Sequence, residues 1–460
     1  MLRSVGVPRL RLPRCAGVTA PEVQRFGVLL EKSRRGSRIS VNGQRSSNLE
    51  SCLASISEFD GEFHIWEELF DKPYLTAVTS GSAVDAKRLL DGVVVGIKDL
   101  YDFAGRPPGN GSTITPGTPP VQHAAIVQRL LDAGAIIVGT TRMSEYAYSR
   151  SGPTRNPHGS EYTPGGSSSG SAAAVAAGMA QVAIGTQTKA STIRPASYCG
   201  VYGFKPTLGA ISLAGATRLS TTLDHPGIFA DSAVNLKRAF DALVGCDPAD
   251  PVSCHLPQQF DAPVRKVGYF DLRGSLDLDT DMTSHFEAYV SNLSALGYTV
   301  EEVMLPVELS EIERIWQGVF TPEARHQLRH LRTRSDYSEL GEEVRALLEA
   351  ESMESLGGYF DLLDARNECG HRMDTLLASY DLVVLPSDQG AAPRLRAPRW
   401  DPACTTFTSA LGLPAASIPM GVNRVGLPLG LQVVGRRHSD ERVLSALLDL
   451  PASFRLATMR

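Results

Sequence analysis

The sequence predicts an α/β fold built around one central sheet, and three observations carry that reading. Short runs rich in β-branched or aromatic residues, among them Val93–Ile97, Ala135–Gly139, Arg265–Phe270 and Val383–Pro386, have the length and composition of strands. Stretches with apolar residues at three- and four-residue spacing, such as Ala124–Ala133 and Met282–Leu296, alternate with them as strand–helix–strand units. The 460 residues are 42% hydrophobic and 21% charged with no tandem repeat, which is the composition of an ordinary globular protein rather than a fibre or solenoid.

In chain order, residues 1–45 hold nine Arg and one Lys against Glu22 and Glu31, a local charge of +8 in a chain whose total is −5. A basic, acid-poor start of this kind reads as a flexible extension, with an organelle-targeting segment as the alternative. Ser, Gly and Arg from Ser33 to Ser47 read as a linker, so residues 1–48 are expected to be a basic extension and 49–460 the main domain. Leu49–Phe70 is the first helical pattern, and Val93–Ile97 is a strand that delivers Lys98 and Asp99 to a loop. Ala124–Ala133 and Ala135–Gly139 follow as helix and strand. Asn156–Gly170 is turn chemistry throughout, Ala172–Ala180 a tightly packing helix, and Val182–Gly185 a strand entering a polar loop, Thr186–Arg194. Arg265–Phe270, Met282–Leu296 and Tyr298–Leu305 make a further strand, helix and strand. Residues 308–380 are mostly helical in pattern and are expected to cover part of the site, before Val383–Pro386 and Leu431–Val434 return as strands.

The totals exclude several function classes. A charge of −5 argues against general nucleic-acid binding, which needs a broad cationic surface. No apolar run reaches the roughly 18 residues of a membrane span. Seven cysteines, scattered and without a CxxC pair, fit free thiols in a reducing, cytoplasmic compartment better than a disulfide framework. His326 and His330 stand four apart, but Gln–Leu–Arg between them lacks the acid of a zinc hydrolase motif and no third ligand is evident.

The chemistry concentrates in two serine-bearing loops that flank the short Ala-rich helix, with the strand-end lysine upstream. Cleaving an amide needs an activated nucleophile, a proton for a poor amine leaving group and stabilisation of an oxyanion. A hydroxyl–hydroxyl–amine relay supplies the first two, and backbone N–H groups of tight loops the third. Three ordered blocks carry a resemblance: Gly92–Val93–Val94–Val95–Gly96–Ile97–Lys98–Asp99, then Pro164–Gly165–Gly166–Ser167–Ser168, then Gly185 to Ser197 running on to Gly203–Phe204–Lys205–Pro206. Leu411–Gly412–Leu413–Pro414 and Gly430–Gly435 extend it. On these segments the chain resembles the amidase signature hydrolases.

That resemblance implies a single α/β/α domain around a mixed sheet, with no metal and no organic cofactor. It implies Lys98 as base, Ser167 as the cis-peptide serine that relays the proton and Ser191 as nucleophile, with oxyanion-hole amides at Thr188, Lys189, Ala190 and Ser191. Lys98 then has to be largely neutral, which burial at the strand end would bring about by penalising the charged form. The expected partner is a small amide-type substrate, with a homodimer compatible.

Where the family usually has two glycines before the nucleophile, this chain has Lys189 and Ala190. Either Lys189 is strained at a positive φ, or its backbone is ordinary and the side chain alters the pocket. Arg194 is expected either to orient an acidic substrate group through bidentate hydrogen bonds or to lock its loop on a carboxylate such as Asp224. Asp224 and Tyr146 are candidate substrate contacts. The pocket walls are expected from Asn110–Ser112, Met143–Tyr148, Leu223–His225 and parts of 308–410, with Trp316 and Phe407 as aromatic lining or as core.

Three competing readings stand beside this one. Gly166–Ser167–Ser168–Ser169–Gly170 also fits the nucleophile-elbow pattern of α/β-hydrolase esterases with Ser168 as nucleophile, though the required preceding strand is missing. A glutaminase subunit of a tRNA-dependent amidotransferase would share the same motifs. A non-catalytic amide-binding relative is made conceivable by Lys189.

Overall fold

A computed structural model describes residues 41–71, 74–75, 88–114, 116–148, 152–256, 263–350, 355–397 and 401–450. The basic start of the chain up to residue 40 lies outside the described residues. Among the described residues eleven strands belong to one sheet: β1 (Trp66–Leu69), β2 (Val94–Lys98), β3 (Ile136–Thr141), β4 (Val182–Gln187), β5 (Tyr202–Lys205), β6 (His225–Ala230), β7 (Lys266–Phe270), β8 (Thr299–Val303), β9 (Leu382–Pro386), β10 (Ala415–Val422) and β11 (Pro428–Val434). Their order across the sheet is β1-β3-β2-β4-β6-β5-β10-β11-β9-β7-β8. The sheet is mixed: β3, β2 and β4 run parallel, as do β9, β7 and β8, while the strands between them alternate.

Eleven helices lie among the described residues: α1 (Val41–Phe63), α2 (Ala125–Asp132), α3 (Ser169–Ala176), α4 (Ile193–Cys199), α5 (Ala233–Leu243), α6 (Thr280–Ala295), α7 (Leu309–Gln327), α8 (Glu342–Glu349), α9 (Leu356–Leu377), α10 (Ala403–Ala410) and α11 (Asp440–Asp449). Side chains alternate across a strand, and the core follows that alternation. Val95, Ile97, Ile184 and Ile228 pack in one apolar cluster with α2, α5, α6 and α11. Their neighbours Val94, Ala183 and Phe229 pack in other clusters, against α1, α3 and α4. At the far end Val384 joins the first cluster while Val383 and Leu385 join one with α7, α8, α9 and α10. Both faces of the sheet are therefore covered by helices, the layered α/β/α arrangement expected.

Several boundaries differ from the sequence reading. The first helix spans Val41–Phe63 rather than Leu49–Phe70, so it runs through the boundary expected at residue 48, and Arg45 is buried against Asp91. It stops because Asp60 Oδ1 accepts from the backbone N–H groups of Ile65 (2.8 Å) and Trp66 (3.1 Å), turning the chain into β1, which pairs with β3. The loop expected over Thr186–Arg194 is shorter. β4 continues to Gln187 and α4 starts at Ile193, with Pro195 in the first turn, where its missing N–H costs nothing. Helix α3 begins at Ser169, earlier than Ala172. The six cysteines among the described residues are all free, and no described helix is long and apolar enough to cross a membrane.

Candidate active site

Lys98 is the last residue of β2, and the parallel pairing of β2 with β3 and β4 puts its amine where the loops leave three strands at their carboxyl ends. That is the crevice in which open α/β sheets place their ligands. The amine is fully buried among hydroxyls. Its Nζ lies 2.7 Å from Ser167 Oγ, 3.0 Å from Ser168 Oγ and 2.7 Å from Thr186 Oγ1. Burial pulls its pKa down to about 7, with the Asp224 carboxylate acting in the opposite direction.

The loop before α3 brings the serines to it. Gly185 in β4 has no Cβ, and one placed there would meet Ser168 Oγ at 2.6 Å, so this glycine lets the serine loop lie directly on the strand. The Gly166–Ser167 peptide is cis, and Ser167 O accepts from Ser144 N at 3.1 Å. Ser168 is fully buried, donates to Thr186 O (3.1 Å) and accepts from Thr186 N (3.2 Å). Its one proton is thus spent, and toward Lys98 it can only accept. A neutral amine has two N–H groups and one lone pair, so that lone pair is left facing Ser167 or Thr186.

Ser191 stands in the adjoining loop between β4 and α4, half-buried. Its hydroxyl makes no hydrogen bond to Ser167 or to any other described residue, so the structure joins Lys98 to Ser167 and leaves the third contact open. Catalytic hydrogen bonds are often long in the absence of substrate. The loop itself is fixed carbonyl by carbonyl. Thr188 O accepts from Trp316 Nε1 (2.9 Å), Lys189 O from Ser409 Oγ (2.8 Å) and Ala190 O from Arg194 N (3.1 Å). In a trans peptide the C=O and the following N–H point opposite ways, so each of these bonds also aims the next residue's N–H. None of the four N–H groups from Thr188 to Ser191 is spent on an acceptor among the described residues.

A sequence model of the amidase family matches residues 47–444. This chain belongs to the amidase family. It is therefore a hydrolase of carbon–nitrogen bonds on the amidase signature fold. The glutamyl-tRNA(Gln) amidotransferase subunit of Acidobacterium capsulatum is 30% identical over 451 residues, covering 86% of this chain and 93% of the relative. A crystal structure of an amidase superposes with a TM-score of 0.76 at 26% identity, covering 93% of this chain and 98% of the other. The peptide amidase of Stenotrophomonas maltophilia gives 0.75 at 25% identity, covering 90% and 94%.

Around this amidase's lysine, the remaining candidates fall in different places. Lys189 and Ala190 are not among the positive-φ residues, so the ordinary-backbone alternative holds and the lysine carries no strain of that kind. Its side chain reaches helix α7, 2.6 Å from Glu313 and 4.2 Å above the Trp316 ring. Arg194 pairs with the buried Asp388, not with Asp224. Asp224 is instead a brace: it accepts from Thr188 Oγ1 (2.7 Å), Leu219 N (2.8 Å) and Ser220 N (2.9 Å). Tyr146, with Asn110, Arg218, His330 and Arg334, lines a cavity of about 320 Å³. That cavity is tied to the site, because Asn110 N donates to Asp99 O and Asn110 O accepts from Tyr146 N, both at 2.8 Å.

Other expectations are corrected. Leu223 and His225, expected in the pocket wall, are fully buried and line no part of that cavity; for Phe407 and Trp316, read as lining or as core, the core alternative holds, both being packed in an apolar cluster. The elbow reading fails because Ser168 is enclosed and its hydroxyl saturated. His330 lies in a separate 3-10 turn beyond the end of α7, so it shares no helix face with His326. Sequence reasoning misses Ser168 and Thr186 as partners of Lys98. The only signal for them is position, since each sits one residue beside a motif serine or glycine.

Proposed function

We propose that this amidase hydrolyses a small amide, carbamate-like or urea-like substrate through an acyl-enzyme on Ser191, with Ser167 and Lys98 as the proton relay. The observation that carries the reading is the buried Lys98 amine 2.7 Å from Ser167 Oγ, shielded from water and ringed by hydroxyls. Neutral Lys98 takes the Ser167 proton while Ser167 takes the Ser191 proton and Ser191 Oγ attacks the carbonyl carbon. The oxyanion is held by N–H groups from Thr188 to Ser191, whose direction the pinned carbonyls support. The relay returns the proton to the departing nitrogen, and water cleaves the ester by the same route.

Tyr146 and the cavity it lines are the proposed acyl or leaving-group pocket. The Arg194–Asp388 pair favours a loop lock over a substrate contact, and Asp224 supports the oxyanion loop rather than the substrate. Ser191→Ala is expected to abolish both hydrolysis of an amide, anilide, carbamate and ester panel and the mass increase produced by a reactive phosphonate. Retained labelling in that variant would sink the assignment. Arg194→Ala should slow neutral and acidic amides alike; selective loss on acidic amides would restore its substrate role.

A second reading is favoured by the relatives, which carry the name of an amidotransferase component. As a glutaminase component of such an assembly, the purified chain would be nearly inert on simple amides and would gain activity only with a partner. Turnover of the panel by the chain alone supports the stand-alone reading.

A further inference from the structure

Helix α7 touches the nucleophile loop at more points than packing requires. Trp316 Nε1 pins Thr188 O, and the same indole lies under the Lys189 ammonium at 4.2 Å. One turn before, Glu313 pairs with that ammonium at 2.6 Å. One turn beyond, Phe320 stacks on Trp316 with centroids 4.5 Å apart, and Tyr148 stacks on Phe320 at 5.5 Å. Further along, Glu323 accepts from Thr222 N (3.1 Å) and Thr222 Oγ1 (2.8 Å), holding the segment whose Asp224 braces Thr188. The loop also receives Ser409 Oγ on Lys189 O, and Ser409 is itself held by Gln187 Nε2 at 2.9 Å.

We infer that Lys189 is a positioning residue that fastens the Ser191 loop to α7, fixing the direction of the oxyanion amides from a side chain rather than from glycine backbone geometry. The inference rests on the acyl-enzyme reading proposed above. The mechanism is mechanical. Lys189 Nζ donates an N–H to Glu313 Oε1 and rests its charge on the Trp316 face, and the indole so held keeps its N–H on Thr188 O. That bond sets the peptide plane carrying Lys189 N–H, and the Ser409 bond sets the plane carrying Ala190 N–H. Each plane that rotates away removes one donor from the developing oxyanion, which is a transition-state loss rather than a ground-state one. Because Glu313 already neutralises the ammonium, Lys189 is not offered to substrate as a free positive charge.

The test compares Lys189→Met, Lys189→Arg, Glu313→Gln and the Lys189→Met/Glu313→Gln pair in the full chain, with thermal melts alongside. For Lys189→Met, kcat is expected to fall about tenfold with KM changed less than about twofold, and the rate of phosphonate labelling of Ser191 to fall in parallel. Lys189→Arg, which keeps both the ion pair and the cation–π contact, should recover kcat to within about threefold. Glu313→Gln, which leaves the cation–π contact in place, should lower kcat by less than the methionine variant, and the double variant should be no slower than Lys189→Met alone, because Glu313 acts on the loop only through Lys189. Should Lys189→Met not fold, the arginine and Glu313→Gln variants still decide the matter. Unchanged kcat in Lys189→Met, or a KM rise confined to anionic substrates, would overturn the inference by leaving the loop indifferent to the lysine or making it a charge reader. If Ser191→Ala keeps its hydrolysis and labelling, the acyl-enzyme reading fails first and takes this inference with it.

Discussion

Two lysines end strands of the same sheet, both fully buried, and burial pulls both down to about 7, yet their surroundings differ in kind. Lys98, at the end of β2, faces three hydroxyl oxygens, and a hydroxyl can give a proton as well as accept one. Lys205, at the end of β5, faces the carbonyls of Pro206 (3.2 Å) and Leu413, which can only accept, with the buried Asp440 carboxylate nearby. The first environment suits an amine that exchanges a proton; the second suits one that holds its N–H groups on fixed carbonyls and ties β5 to the turn before β10. A lowered pKa marks a desolvated amine, and the chemistry of its partners decides whether it is a base or a tie.

The largest expected effect separates the two outright. Lys98→Met should lower kcat by about 10³-fold with the melting temperature little changed, measured on any substrate the panel yields. A loss below about tenfold would remove Lys98 from the relay. Lys205→Met should do the reverse, leaving kcat within about threefold while costing about 2–4 kcal/mol of stability in denaturant melts, because two buried carbonyls lose their donor.

The pH dependence sharpens the contrast. The active form of Lys98 is the neutral one, so with its pKa near 7 the value of kcat/KM should rise about tenfold per pH unit below that point and level off above it. The Lys205→Met variant should trace the same limb if Lys205 takes no part in catalysis. An acid limb displaced above pH 9 would mean that the amine is not desolvated during turnover. The smallest effect is expected from Thr186→Val, which removes one hydroxyl from Lys98 at constant shape and should slow turnover about five- to tenfold. No change there would mean that Thr186 takes no part in orienting the amine toward Ser167.

Much of this is legible from local pattern. β2 and its terminal Lys98 are visible because a β-branched run ending in a charged pair is a strand meeting a loop, and the three ordered blocks point to the family. Other segments are not read from the sequence: β1, β5, β6, β10, α4, α5, α10 and α11 go unanticipated. Helix α1 is misplaced by the pattern because its first turns are polar and its end is set by Asp60, a single side chain turning two backbone amides. Arg194 finds a different acid from the one expected because Asp388 lies 194 residues away and reaches it only through the fold. Trp316 and Phe407 can be read as lining or as core with equal ease, since an aromatic side chain looks the same in sequence whether it faces a ligand or a neighbouring helix.

The sequence by itself determined the layered α/β class, the family and the identities of Lys98, Ser167 and Ser191 as candidates, because these depend on residue type and short-range order. Only the tertiary structure decided which hydroxyls surround Lys98, which acid holds Arg194 and where the Lys189 side chain goes in place of a glycine. Those answers depend on which strand ends and helices converge, and proximity between residues far apart in the chain is set by packing of the whole sheet rather than by any local segment.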